Sequence, residues 1–186
     1  AKEINGQAVA TEIARHELYG CTGAEMVQEM KPYHIDFPNV KNNCLRFEVS
    51  PSIEESVTFT DADWAELGND FMQRMGLANH QYIIIRHSGT ESKKEQAHLH
   101  ILANRVSLSG ELYRDNWIGK KATEAANAIA KERNFVQSQD IGKVNKAEIK
   151  EAMDGVLKKM QGFDFTKFKE ELGKRGFKVR EARAST

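Results

Sequence analysis

Six histidines are spread along the chain, and three of them stand where they could act together. His98 and His100 flank a single leucine in the run A-H-L-H-I-L-A-N-R-V, residues 97–106, whose apolar positions otherwise alternate. Successive side chains of a β-strand point to opposite faces. His98 and His100 therefore share one face with Leu102 and Asn104, while Leu99, Ile101 and Ala103 point the other way, into a core. Two imidazoles side by side suit a metal ion that takes at least one more ligand from elsewhere. His87 ends the preceding apolar run Q-Y-I-I-I-R-H. If the two runs pair as antiparallel neighbours, the end of one lies beside the start of the next and the three imidazoles converge. Three neutral imidazoles with open coordination positions make a catalytic rather than a closed structural site. The alternative is a chance grouping of surface histidines, which is how His16, His34 and His80 are read.

These residues need elements to hold them. The spacing of Val9, Ile13 and Leu18 predicts a helix over 6–18, and 24–30 continues in that sense. Pro32 and Pro38 punctuate a loop, and C-L-R-F-E-V, residues 44–49, alternates as a half-buried strand. Thr60 is an N-cap, followed by the stripe Trp64, Leu67, Phe71, Met75 and by Gly76 at the C-terminal position. The run 81–87 is nearly all apolar, as in a central strand covered on both faces. The polar loop 88–96 is long enough to close a hairpin onto the strand 98–106. A helix follows over 116–133, with Ile118, Ala122, Ala125 and Ile129 inward. Ile141-Gly142-Lys143 reads as a linker, with amphipathic segments at 146–160 and 165–172 and a short strand at 177–179. Helices intermixed with strands of hairpin spacing predict an α+β domain, helices packed on a central antiparallel sheet.

Composition sets the bounds. A chain of 186 residues, 40% apolar and 29% charged, is one ordinary domain with room for a small appendage. No run approaches a membrane span and no signal-peptide pattern opens the chain. Cys21 and Cys44 form no CxxC, so a reducing cytoplasm is expected. A formal net charge of zero counts against binding nucleic acid through overall charge but leaves room for one basic face.

The string R-H-S-G-T-E…A-H-L-H-I-L-A-N-R-V resembles the metal-binding motif of mobilisation relaxases (MobA/relaxase family), members of the HUH endonuclease superfamily, in which two histidines flank one hydrophobic residue. His98-Leu99-His100 matches that pair, Asn104-Arg105-Val106 the run that commonly follows it, and His87 the upstream histidine. The loop 88–97 is longer than the usual Asp-containing one and lacks the Pro or His that often precedes the pair. Weaker similarity at Phe47-Glu-Val-Ser-Pro51 and from Gly110 to Lys121 extends the match to residues 42–135.

The resemblance implies an activity: metal-dependent, site- and strand-specific nicking of DNA at an origin of transfer, for plasmid or transposon mobilisation. A tyrosine hydroxyl is the nucleophile, and a 5′-phosphotyrosyl link is the product. It implies a manganese or magnesium ion on His87, His98 and His100, which imidazoles would also let zinc, nickel or cobalt occupy in vitro. Single-stranded or supercoiled DNA is the implied partner, with other proteins of a transfer complex. Residues 1–140 would be the relaxase-like domain and 141–186 a C-terminal helical extension.

In that family the nucleophile lies close to the N-terminus. Tyr19 is the best candidate by chain order among Tyr19, Tyr33, Tyr82 and Tyr113, and the expectation is that the true nucleophile precedes residue 1. Glu48 is either a partner for a histidine N–H or a solvated strand residue. Arg105, Arg114, Lys120 and Lys121, with Tyr113 and Trp117 as stacking surfaces, either track a DNA backbone or solvate and pack. Lys174, Arg175, Lys178, Arg180 and Arg183 are a DNA-facing tail or a charged end. Two rival functions stand beside nicking: a non-catalytic single-stranded-DNA-binding module that retains the metal site, and a globular protein with an accidental histidine trio.

Overall fold

The computed structural model describes residues 2–4, 7–88 and 96–180. Five strands form one sheet in the order β1-β2-β4-β5-β3: Lys2–Ile4, Gln7–His16, His80–Ser88, Ala97–Ser107 and Cys44–Val49, with every neighbour antiparallel. Helices α1 (Gly23–Met30), α2 (Ile53–Ser56), α3 (Asp61–Arg74) and α4 (Ile118–Glu132) accompany it. The α+β class expected from the sequence is the one observed.

The two faces of the sheet differ. On one, Phe47, Ile84, Leu99, Ile101 and Ala103 form the main core with Trp64, Leu67, Phe71 and Met72 of α3 and Ala125 and Ile129 of α4. A capping box between Thr60 and Asp63 starts α3, and Gly76, at φ 73°, ends it, with Leu77 N–H donating to the Met72 carbonyl at 2.9 Å. On the other face Ile83, and Ile85 beside it, pack under Leu18, Met26 and Met30. Helix α1 therefore covers only part of that face. The central strand β4 is covered on both sides where its apolar run predicts.

Asn104, fully buried, pins the end of β5 away from the hairpin. Its Nδ2 donates to Gln81 Oε1 (3.0 Å) and to the Met30 carbonyl (3.4 Å), and its Oδ1 accepts from Val106 N–H. Gln81 in turn donates to the Glu17 carbonyl at 2.8 Å.

The segment 7–16 is a strand, not the helix its Val9–Ile13–Leu18 spacing predicts. Thr11 and Glu12 pair with Arg86 and Ile85, then Ala14 with Ile84, which leaves Ile13 as the extra residue of a bulge. The bulge breaks the period of two, so an alternating pattern takes on helical spacing. Ile141-Gly142-Lys143 is no linker either; it lies inside α5 (Ser138–Leu157). The chain instead turns at Asn134, whose φ is 57°, and a second compact unit begins at Val136. In that unit α5 and α6 (Phe165–Lys174) bury Ala152, Val156, Phe168 and Leu172. Phe177 and Val179 pack against this cluster without forming the predicted strand. Among the described residues no helix is long and apolar enough to cross a membrane.

His80 is not a surface residue. It is 5% exposed, and its Nδ1–H donates to the Asn104 carbonyl at 2.9 Å. His34 is half-buried with both ring nitrogens enclosed, and His16 stacks on Tyr82.

Two predictions follow from this packing. A Cβ on Gly68 of α3 would come within 2.7 Å of Ile84 Cδ1 and 3.3 Å of Leu99 Cδ1, both on fully buried side chains. Gly68→Val should therefore cost about 1–3 kcal/mol through overpacking, read as a lower urea midpoint. Burial pushes the His80 pKa down, outweighing the Asn104 and Val106 carbonyls and the Glu111 carboxylate, which pull it up. The unfolded chain then binds a proton that the fold rejects. His80's contribution is complete above its ordinary pKa near 6.5 and is lost as pH falls below it, at up to about 1.4 kcal/mol per pH unit. Urea titrations at pH 7 and pH 5 should show a smaller stability loss in His80→Asn than in the native chain.

Candidate metal centre

The hairpin of β4 and β5 sets the site. His87 faces His98 as a cross-strand pair and Ile85 faces His100, so the three imidazoles share the sheet face opposite the main core. Ring centroids lie 5.4 Å apart for His87–His98, 4.3 Å for His87–His100 and 4.9 Å for His98–His100. One ring nitrogen from each lies within 4.8 Å of the others. His98 is buried, the other two half-buried.

The donor chemistry fits a divalent ion. His98 Nδ1–H donates to the Gln96 carbonyl at 3.2 Å, which leaves its Nε2 lone pair facing His100 Nε2, also 3.2 Å away. Two nitrogens each about 2.1 Å from an ion, at octahedral to tetrahedral angles, are about 3.0–3.4 Å apart. The Gln96 carbonyl is itself steadied, because the Gln96 side chain donates to the Pro51 carbonyl at 3.0 Å. Burial lowers the pKa of His100, helped by the neighbouring His87 and His98 and by Arg46, while Glu48 opposes the shift. The ring is thereby held neutral, the form that ligates.

Sequence reasoning passed over Gln96 and Arg46. Both positions follow from strand parity: Gln96 precedes His98 by two residues, and Arg46 lies on the strand beside β5. Glu48 is exposed and is the cross-strand partner of His100. The group touching His100 Nδ1 is instead the Arg46 guanidinium, at 3.3 Å. The loop residues 89–95 lie outside the described residues.

The remaining candidates gather at the other end of the sheet. Arg105 is seven residues beyond His98, roughly 20 Å along the strand. Its guanidinium is committed to the Tyr113 carbonyl (3.2 Å), the Asn42 carbonyl (3.3 Å) and Asp115 (2.7 Å). The Tyr113 hydroxyl is enclosed, and Lys121 Nζ lies 5.0 Å above its ring while donating to the Arg114 carbonyl. Trp117, by contrast, is 81% exposed at φ 58° before α4, near exposed Lys120.

Tyr19 stands beyond the end of β2 where His16 pairs with Tyr82, whereas Ala10 is the residue that pairs with His87. Its hydroxyl donates to Glu17 at 2.8 Å, and that carboxylate raises the phenol's pKa, the reverse of what a nucleophile needs. Tyr82 is buried against the core, and Tyr33 follows α1 in the turn that meets β5 near Asn104. None of the four tyrosines is at the histidine end. Arg183 of the basic C-terminal group lies outside the described residues; Lys174, Arg175, Lys178 and Arg180 belong to the second unit.

The histidine cluster thus sits at the loop end of the β4–β5 hairpin, in an antiparallel sheet with flanking helices. The sequence pattern of the relaxase nuclease domain, MobA/VirD2-like, matches residues 3–135, and the chain belongs to this family. No curated protein and no solved structure matches it.

His98→Ala and His100→Ala should each abolish stoichiometric binding of manganese, measured by plasma mass spectrometry after gel filtration. Retained stoichiometry in both would remove the site.

Proposed function

We propose that this domain cuts one strand of DNA at an origin of transfer by a metal-dependent transesterification that serves plasmid or transposon mobilisation in the cytoplasm. The observation that carries the reading is the convergence of three imidazole nitrogens within 4.8 Å, on a partly open sheet face, in a chain of the relaxase nuclease family. His87, His98 and His100 would hold a divalent ion, manganese or magnesium, with zinc, nickel or cobalt able to substitute in vitro. When bound, an ion on three neutral ligands keeps its full charge and polarises the scissile phosphate.

The chain's own residues prepare for this. Gln96 fixes the His98 tautomer, burial keeps His100 neutral, and Glu48, level with His100, would accept its Nδ1–H once Nε2 holds an ion. Arg114, Trp117, Lys120 and Lys121 would offer a basic, partly aromatic surface to a single strand at the far end of the sheet.

In the reaction a tyrosine oxygen bonds to phosphorus as the P–O3′ bond breaks. The product is a 5′-phosphotyrosyl link, and the phenol proton ends on the departing 3′ oxygen. The four tyrosines of this chain are poorly placed for that attack, so the reading assigns the nucleophile to residues preceding Ala1. Lys2 pairs with Ala10, and Ala10 with His87, so the first residue of β1 stands level with the histidine trio, two strands away. The same placement of the tyrosines favours a second reading, a single-stranded-DNA-binding module that retains the metal site without cutting.

Incubated with manganese and labelled origin oligonucleotides, residues 1–186 should bind DNA but give no adduct that survives a denaturing gel. A chain extended ahead of β1 by native residues that include a tyrosine should give one, and its Tyr→Phe variant should not. An adduct formed by residues 1–186 and lost in Tyr19→Phe would overturn this assignment. An extended chain that binds DNA without ever forming the adduct would establish the binding-module reading.

A further inference from the structure

We propose that Arg46 forms a phosphodiester-binding subsite beside the histidine trio, on the open face shared by β3 and β5, and that it holds a backbone phosphate next to the one cut. The subsite rests on the DNA-nicking function proposed above.

Parity and register place it. Arg46 is the cross-strand partner of Leu102, and Glu48 that of His100, so these four side chains continue the face that carries the trio. β3 is an edge strand, and α1 reaches this face only at the Asn104 end, where Met30 accepts from Asn104 and Cys44 Sγ lies 3.9 Å from Met30 Sδ. Between that cover and the histidines the face is open among the described residues. Leu102 is 40% exposed in the middle of a strand whose other face is buried, and Arg46 beside it is exposed. An apolar side chain next to a guanidinium offers a surface for a sugar or base and a donor for its phosphate.

The charge pattern separates Arg46 from the other strand arginines. Arg15 is paired with Glu12, Arg86 with Asp61 and Arg105 with Asp115. Among the described residues Arg46 has no carboxylate partner, although Glu48 lies two residues along the same face. Its contact among those residues is a single N–H to His100 Nδ1 at 3.3 Å, which uses one of five donors. The rest of the planar fork is available, in the geometry that matches two phosphate oxygens. If His100 gives Nε2 to an ion, its Nδ1 carries the ring proton and stops accepting, which releases Arg46 altogether. Glu48 repels a phosphate, so the strand is directed to the Leu102 side of Arg46.

The test is fluorescence anisotropy of a labelled, mixed-sequence single strand over a salt series in divalent-free buffer. It compares the native chain with Arg46→Gln, Arg46→Lys and, as a control, Lys167→Gln in α6. Arg46→Gln should bind several-fold more weakly, and the slope of log affinity against log salt should shrink by about 0.7, the value for one lost contact to a single strand. Arg46→Lys should recover the slope, and Lys167→Gln should match the native chain. An unchanged circular-dichroism melt and unchanged manganese stoichiometry in Arg46→Gln show that neither fold nor trio is disturbed. Native affinity and slope in Arg46→Gln would overturn the subsite and leave the nicking function standing. A native chain that binds neither this strand nor the origin oligonucleotides would instead remove that function. Loss of manganese stoichiometry in Arg46→Gln would reassign Arg46 to positioning His100 and overturn the phosphate contact.

Discussion

Everything at the candidate site depends on the register between β4 and β5. The side-chain period of a strand is two, so a slip of one residue would send His98 and His100 into the core and bring Leu99 out. Two features oppose that slip. Leu99, Ile101 and Ala103 are fully buried against α3, where Gly68 lets the helix approach Ile84 closely. At the opposite end, Asn104 and His80 are buried and hydrogen-bonded across β4 and β5, and a shift would strand their polar groups without partners. The imidazoles thus owe their placement to paired, buried strands rather than to a loop, as a preorganised ligand set requires.

This division explains what the Asn104-Arg105-Val106 run does. In sequence it accompanies the histidine pair; in the fold it stands far from it and works on structure. Asn104 ties β5 to β4 and α1, and Arg105 ties it to residues 42, 113 and 115. Motif residues that travel together need not share chemistry. Here one part of the motif supplies clustered imidazoles and the other locks the register that clusters them.

What was legible in the sequence follows the same logic. Strands whose period is unbroken, at 44–49, 81–87 and 98–106, are plain from alternation or apolar runs, and with them the convergence of His87, His98 and His100. The strand 7–16 was misread because one bulge at Ile13 destroys the alternation. The linker at 141–143 was misread because Gly142 costs a helix only about 1 kcal/mol, which the rest of a 20-residue helix tolerates. The burial of His80 was hidden because its partner is a backbone carbonyl, which leaves no mark in the sequence. Arg46 was hidden for a related reason: its significance lies in lacking a carboxylate where its strand neighbours have one, and ion pairing across strands shows only once they are paired.

A formal net charge of zero looks ill-suited to a protein that must hold a polyanion, yet the distribution of charge resolves the difficulty. Most strand and helix arginines are neutralised locally, Arg74 by Asp70 and Glu132 and Arg105 by Asp115, as is Arg133 after α4 by Glu66. These pairs contribute charge to the composition but little to the field outside. The cationic groups that count are those left without such partners near the open face, and burial keeps the His100 ring neutral. A site built this way attracts a phosphodiester through a few uncompensated groups and through whatever charge its ligand set gathers, rather than through the protein's overall field. Its affinity for DNA then depends on salt through a small number of contacts, and its selectivity for where the strand lies depends on the sheet register that positions them.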